Sequence, residues 1–314
     1  MELQSIVEYR NRIVSAVSRA IVGKEDAIEK VLIAYLCGGH VLLEDVPGTG
    51  KTMLLRAFAK AIGGSFSRVQ FTPDLQPSDL TGINFYNQKE GEFRFRPGPL
   101  FNDIILADEV NRATPRTQSA LLEAMEERQI TVDGVTHPLG GRFLVMATQN
   151  PLESYGTFPL PEAQVDRFFM RLSLGYMRRD EELSVLRRGN TVDIIAGIEP
   201  VITDADTDLA RAGCRRVLVS DPVAGYLMDL VEGTRNGGFS CGASTRGAIA
   251  LYRAAQAAAA LSGRDYVVPE DIRRMAPSVL AHRVAAGAGL KRADAEARLM
   301  SLVERVPVPV ETLP

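Results

Sequence analysis

The chain has 314 residues, of which 46% are apolar and 24% charged, and its net charge is −3. That length exceeds one ordinary domain and predicts two packed units of soluble globular type. The charge balance argues against a large electrostatic footprint for nucleic acid, and the scattered cysteines and histidines argue against a disulfide framework or a structural metal site. The N-terminus carries acids and arginines where a signal peptide needs an apolar run. The greasiest segment, IALYRAAQAAAALSG, is short and interrupted by Arg253 and Gln256, so no membrane span is expected. These features predict a cytoplasmic protein.

Two helices are expected first, over residues 4–20 and 24–37, where VGKEDAIEKVLIAYL spaces its apolar residues at helical intervals. Strand-like runs then recur at 40–44, 66–71, 103–107, 142–149 and 168–174, several of them apolar on both faces, as strands of a covered parallel sheet must be. Helical patterns such as TMLLRAFAKAI and TQSALLEAMEERQ alternate with them. The sum is an α/β core with helices on both sheet faces. Residues 83–96 and 129–139 interrupt this alternation and read as hairpins, turning at Lys89-Glu90-Gly91 and at Asp133-Gly134. Beyond residue 203 the strand signals fade into five helical segments, with Ser244 and Pro269-Glu270-Asp271 as helix starts. A core over 1–203 and an all-helical unit over 204–314 are therefore expected, the tail VPVPVETLP being an extended end.

The chemistry is concentrated in HVLLEDVPGTGKTMLLRAFAKAI, a strand, a glycine loop ending in GKT, and a helix. Such a loop binds phosphate because successive backbone N–H groups and a helix N-terminus point at the anion. The nucleotide-binding set is Val46, Pro47, Gly48, Thr49, Gly50, Lys51, Thr52 and Met53, with Lys51 on the phosphates and Thr52 on a metal. Asp45 stands where such loops usually open on a glycine. An aspartate tolerates unusual backbone angles there and is expected to point its carboxylate to solvent. The apolar strand ending in IILADE supplies Asp108 for Mg²⁺ and Glu109 to polarise water.

The stretches LADEVNRATPRTQSALLEAMEERQITVDG, MATQNPLESYGTFPLPEAQVDRF and GASTRG resemble the MoxR family of AAA+ ATPases, over residues 20–300 or so. The resemblance implies a P-loop core with a C-terminal helical lid, ATP with Mg²⁺, and a hexameric ring with nucleotide between subunits. It also implies a chaperone-like action on a protein client, often one with a von Willebrand factor A domain. By the same resemblance Asn150 matches sensor 1, Arg167 the arginine finger, Arg246 sensor 2, and Val22 with Gly23 the adenine side. Asn150, Arg167 and Arg246 also have plainer readings: an Asn-Pro turn, a local ion pair, a solvated arginine. Arg112 is a further charge for the subunit boundary. Both hairpins would face the ring's channel, where Lys89, Arg94 and Arg96 beside Phe93 and Phe95 could engage a client. Two rival functions remain: a nucleotide-gated scaffold with little turnover, and a nucleic-acid motor. GFSCG matches a hydrolase nucleophile elbow, but no buried strand precedes it, so it reads as a glycine-rich entry to the Arg246 helix.

Overall fold

Helix α1 (Leu3–Ser18) buries Ile6, Tyr9, Ile13 and Val17, one residue per turn, and packs beside α2 (Glu25–Leu36), which is buried almost throughout from Ile28. In the computed structural model the described residues are 3–45, 48–149, 156–188, 191–236, 238–286 and 292–309. Val46, Pro47 and Asn150, expected at the nucleotide, lie outside them.

The core then runs β1 (Val41–Glu44), α3 (Lys51–Ala61), β2 (Phe66–Gln70), α4 (Pro77–Thr81), β3 (Gly82–Asn87), β4 (Glu92–Pro97), β5 (Ile104–Asp108) and α5 (Pro115–Glu127). It continues through β6 (Gln129–Val132), β7 (Val135–Pro138), β8 (Leu144–Gln149), α6 (Glu162–Val165) and β9 (Met170–Leu172). All five expected core strands join one parallel sheet in the order β2-β5-β8-β1-β9. Alternation along each strand divides the apolar residues between two clusters. Val41, Leu43, Ile104, Leu106, Leu144 and Met146 face the side of α1, α2 and α3, whereas Leu42, Ile105, Val145 and Ala147 face that of α5. Both faces are covered, which explains why these strands read as unbroken apolar runs.

The hairpins form as expected. β3 pairs with β4, and β6 with β7 across Asp133 and Gly134, whose φ values of 49° and 81° suit the tight turn that a right-handed strand pair prefers.

After β9 come α7 (Arg179–Arg188) and α8 (Thr191–Ala196), where the sequence reading placed no element. Helices α9 (Asp204–Arg216) and α10 (Asp221–Asn236) follow, then β10 (Phe239–Cys241), α11 (Thr245–Leu261), α12 (Pro269–Leu280), β11 (Ala285–Ala286) and α13 (Arg292–Arg305). Ser244 caps α11, its hydroxyl accepting the Gly247 N–H at 3.1 Å, and Asp271 accepts the Val268 N–H at 2.9 Å at the start of α12. The C-terminal unit is helical as expected and also holds a short strand pair, β10 and β11, which run antiparallel with Ser240 exposed and donating to the Ala285 carbonyl. One apolar cluster crosses from α1 and α2 into α11 and α12 without a break.

Candidate active site

At the C-terminal end of β1 the loop residues Gly48 and Gly50 have φ values of 83° and 89°, and Gly50 leads directly into α3, whose first residue is Lys51. Nothing lies within 4 Å of where a side chain would start at either glycine. The space above the loop is therefore open, bounded below by backbone and a helix N-terminus, as a phosphate cradle must be. A cleft of about 380 Å³ lies there, lined by Gly48, Lys51, Thr52, Met53, Asp108 and Glu109, among others. Thr49 is buried, and the Lys51 ammonium donates to the Asp45 carbonyl at 3.3 Å.

Asp45 departs from expectation. Its side chain is buried, not turned to solvent. The carboxylate accepts the Leu174 N–H at 2.6 Å, the Gly175 N–H at 3.2 Å and the Ser173 hydroxyl at 3.3 Å. These groups have left the sheet after β9 and need another acceptor, and a carboxylate at the exit of the adjacent strand provides one. Asp45 thus ties the root of the loop to the segment after β9. That segment continues to Lys24, beside the Val22-Gly23 pair expected at the base: the Leu174 and Tyr176 carbonyls accept the Lys24 ammonium at 2.6 and 3.0 Å. Val22, Gly23 and Lys24 line a cleft of about 560 Å³ together with Tyr176, Arg178 and Glu181. Gly23 has φ 69°, and the Glu181 carboxylate occupies the space a side chain would take. The Arg178 backbone N–H holds that carboxyl below the usual carboxylate range.

The paired acids end β5. Thr148 of β8 donates its hydroxyl to Asp108 at 2.6 Å and accepts the Glu109 N–H at 2.8 Å. Glu109 has φ 57°, a left-handed backbone that the sequence gives no sign of. Two residues of β2 complete the arrangement. Arg68 donates twice to Asp108, at 2.6 and 3.1 Å, and Gln70 donates to Glu109 at 2.7 Å. Arg112, expected as a boundary charge, pairs with Glu109 of its own chain at 3.1 Å. Thr148, Arg68 and Gln70 were missed by sequence reasoning; the available signal was Arg68 and Gln70 at alternate positions of a strand at the edge of the sheet. Asp108 and Thr52 present oxygens to the same cleft, the donor type a hard divalent cation requires, so the residues fit Mg²⁺.

Arg167 and Arg246 lie elsewhere. Both pair with Glu126 near the C-terminal end of α5, Arg167 at 3.0 Å and Arg246 at 2.5 Å. The neighbouring Met125 carbonyl bonds to His40 Nε2 at 3.0 Å, and His40 directly precedes β1. Glu126 therefore belongs to the N-terminal edge of the parallel strands, opposite the edge where Lys51 and Asp108 sit. His40 also accepts the Val145 N–H at 3.0 Å on Nδ1, so its neutral form is fixed, and burial pushes its pKa down to about 3.

Comparison with known proteins agrees with this layout. Residues 40–170 match the ATPase family associated with various cellular activities (AAA), and residues 236–302 match an AAA lid domain. The chain is 39% identical to Chaperone MoxR1 of Mycobacterium tuberculosis, over 90% of this chain and 77% of that protein. It is 34% identical to protein MoxR of Methylorubrum extorquens, over 85% of each. It belongs to the MoxR family of AAA+ ATPases. It is also 50% identical to the uncharacterized protein YeaC of Bacillus subtilis, over 95% of this chain and 94% of the other. A crystal structure from Cytophaga hutchinsonii, described as a candidate ATPase, superposes with a TM-score of 0.88 at 39% identity, covering 98% of both chains.

The two hairpins of this MoxR chain are joined to each other. Phe95 stacks on His137 with ring centroids 4.4 Å apart and meets Phe101 at 5.4 Å, while Asn84 donates to Asp133 at 2.7 Å. Phe95 is thus packed between hairpins and not offered to a client, a correction to the sequence reading. Phe93, 74% exposed, remains outward with Tyr86 against it, and Arg94 pairs with Glu90. Among the described residues no helix is long and apolar enough to cross a membrane.

Proposed function

We propose that this chain hydrolyses ATP at sites shared between subunits of a ring, and uses the cycle to remodel or activate a protein partner. The supporting observation is the separation of the site's two halves. The glycine loop, Lys51, Thr52, Asp108 and Glu109 occupy the C-terminal edge of the sheet. Arg167 and Arg246 meet on Glu126 at the opposite edge. A 13-residue helix such as α5 is about 20 Å long, which no arginine side chain spans. Arginines so placed serve a nucleotide bound by a neighbouring copy, and a closed ring gives every loop such a neighbour. A hexamer is the ring size we favour, and residues 1–203 and 204–314 are assigned as nucleotide core and lid.

In this reading backbone N–H groups of the loop and the Lys51 ammonium cradle the phosphates. Val22 and Gly23 border the base, with Val46, Pro47, Thr49 and Met53 completing the loop. Thr52 and Asp108 would hold Mg²⁺, which supplies neutralisation of phosphate charge. Glu109 accepts a proton from the attacking water once Gln70 releases its carboxylate, Asn150 helps orient that water, and the partner-facing arginines stabilise charge on the leaving phosphate. The client is expected to meet the hairpin tips, where Phe93 and Tyr86 are exposed, and a von Willebrand factor A domain protein is the favoured class. Arg167→Ala tests the reading: ATP binding persists while turnover falls about 10³-fold or more. Wild-type turnover in that variant would overturn it.

A second reading, a nucleotide-gated scaffold, draws on one observation: both acids are engaged, Asp108 by Arg68 and Glu109 by Gln70 and Arg112. Multiple turnovers by purified protein would exclude it; a single ATP bound and retained per subunit would favour it.

A further inference from the structure

Arg283, in the turn after α12, is 6% exposed, and its side chain approaches the segment that carries Arg167. All five guanidinium N–H groups have acceptors. Nε donates to the Asp166 carboxylate at 2.8 Å. Nη2 donates to the Asp166 and Phe168 carbonyls at 3.0 and 2.6 Å. Nη1 donates to the Phe169 carbonyl at 3.1 Å and to the Val279 carbonyl of α12. One side chain thus grips the backbone on both sides of Arg167. A buried arginine with so many well-placed carbonyls is a rigid fork, and no other residue type matches five donors in one plane.

The same anchor reaches Arg246. The Asp166 carboxylate, held by Arg283, also accepts the Ser244 hydroxyl at 3.0 Å, and Ser244 caps the helix from whose first turn Arg246 projects. Gly247, in that same turn, lies so close that a side chain there would meet Arg283 Cδ at 2.8 Å. His282 adds a bond from Nε2 to the Phe168 carbonyl at 2.9 Å.

We propose that Arg283 is a positioning residue that locks the lid to the Arg167 segment, so that Arg167 and Arg246 are presented to the neighbouring subunit as one rigid unit. It touches no nucleotide. Its effect falls on the arginine face of a subunit and leaves that subunit's own phosphate loop intact. The glycine at position 247 is required because the lock passes against it. The inference rests on the shared-site reading given above.

The test uses full-length Arg283→Lys, which keeps the charge and cannot reach the same carbonyls. ATP affinity is expected to stay within about twofold of wild type, and kcat to fall 10- to 100-fold. Mixed under subunit exchange with Lys51→Ala, Arg283→Lys should regain activity, because its intact loop meets an intact arginine face. Mixed with Arg167→Ala it should regain none, because both proteins lack a working arginine face. Gly247→Val, which crowds Arg283 from the other side, should show the same pattern and keeps the test decisive if Arg283→Lys fails to fold. Recovery with Arg167→Ala, or wild-type kcat, would overturn the proposal. The control pair, Lys51→Ala with Arg167→Ala, separates the two claims. If it recovers while Arg283→Lys with Lys51→Ala does not, the Arg283 role alone fails. If the control does not recover, the shared site fails and the inference falls with it.

Discussion

Replacing Asp45 by alanine should weaken the fold far more than it weakens nucleotide binding. The carboxylate accepts two backbone N–H groups, Leu174 at 2.6 Å and Gly175 at 3.2 Å, from a buried position. Hydrogen bonds to a charged group contribute about 1.5–3 kcal/mol each. Leu174 is buried and its donor would be left unpaired, whereas Gly175 is half-buried and water can replace part of its loss. The expected cost is about 2–4 kcal/mol, equivalent to about 3–6 °C in the melting midpoint followed by circular dichroism. Asp45→Asn keeps an acceptor oxygen and should lose about half as much. Affinity for ATP, measured by calorimetry, should change by less than about tenfold, or 1.4 kcal/mol, because the carboxylate is engaged with backbone away from the cradle. Unchanged melting with a hundredfold tightening of ATP would refute this reasoning and place the acid against the phosphates.

Lys51→Ala should abolish ATP binding, while Glu109→Gln binds ATP and fails to turn it over; a filter-binding assay beside phosphate release separates them, and wild-type turnover by Glu109→Gln would remove it as the base. Arg68→Gln frees Asp108 from a half-exposed ion pair contributing about 1 kcal/mol, so half-saturating Mn²⁺, titrated by electron paramagnetic resonance in the presence of ATP, should fall about three- to sixfold. His40 has a folded pKa of about 3 against an unfolded value near 6.5, so the unfolded chain binds its proton first and stability is lost as pH falls from about 6.5 toward 3. Between pH 7 and 5 the wild type should lose about 2 kcal/mol more than His40→Gln in urea titrations; equal losses would show that His40 does not titrate in this way.

The parallel sheet was legible because β1, β5 and β8 are apolar on both faces, and the β6–β7 hairpin because Asp133-Gly134 marks its turn. Helix α11 was legible from Ser244 and the run after it. Helix α7 was not, since RDEELSVLRR is polar enough to pass for loop and buries only Glu181 among its residues. The loop's glycines announce a phosphate cradle locally, yet the role of Asp45 depends on β9 lying beside β1, an adjacency set by the strand order and invisible along the chain. The same holds for Arg68 and Gln70, which reach the acids only because β2 pairs with β5. Arg283 contacts a segment 117 residues earlier, and no local pattern marks such a lock. Motifs that are contiguous could be read; side chains that join elements could not.

The central claim is that each nucleotide is served by two subunits, and mixing two inactive proteins tests it most directly. Lys51→Ala supplies an intact arginine face, and Arg167→Ala an intact loop. With subunit exchange confirmed by fluorescence transfer between labelled copies, phosphate release should rise from background to a substantial fraction of wild type and peak near equimolar mixing. Exchanged, assembled mixtures that stay at background across all ratios would contradict the shared site.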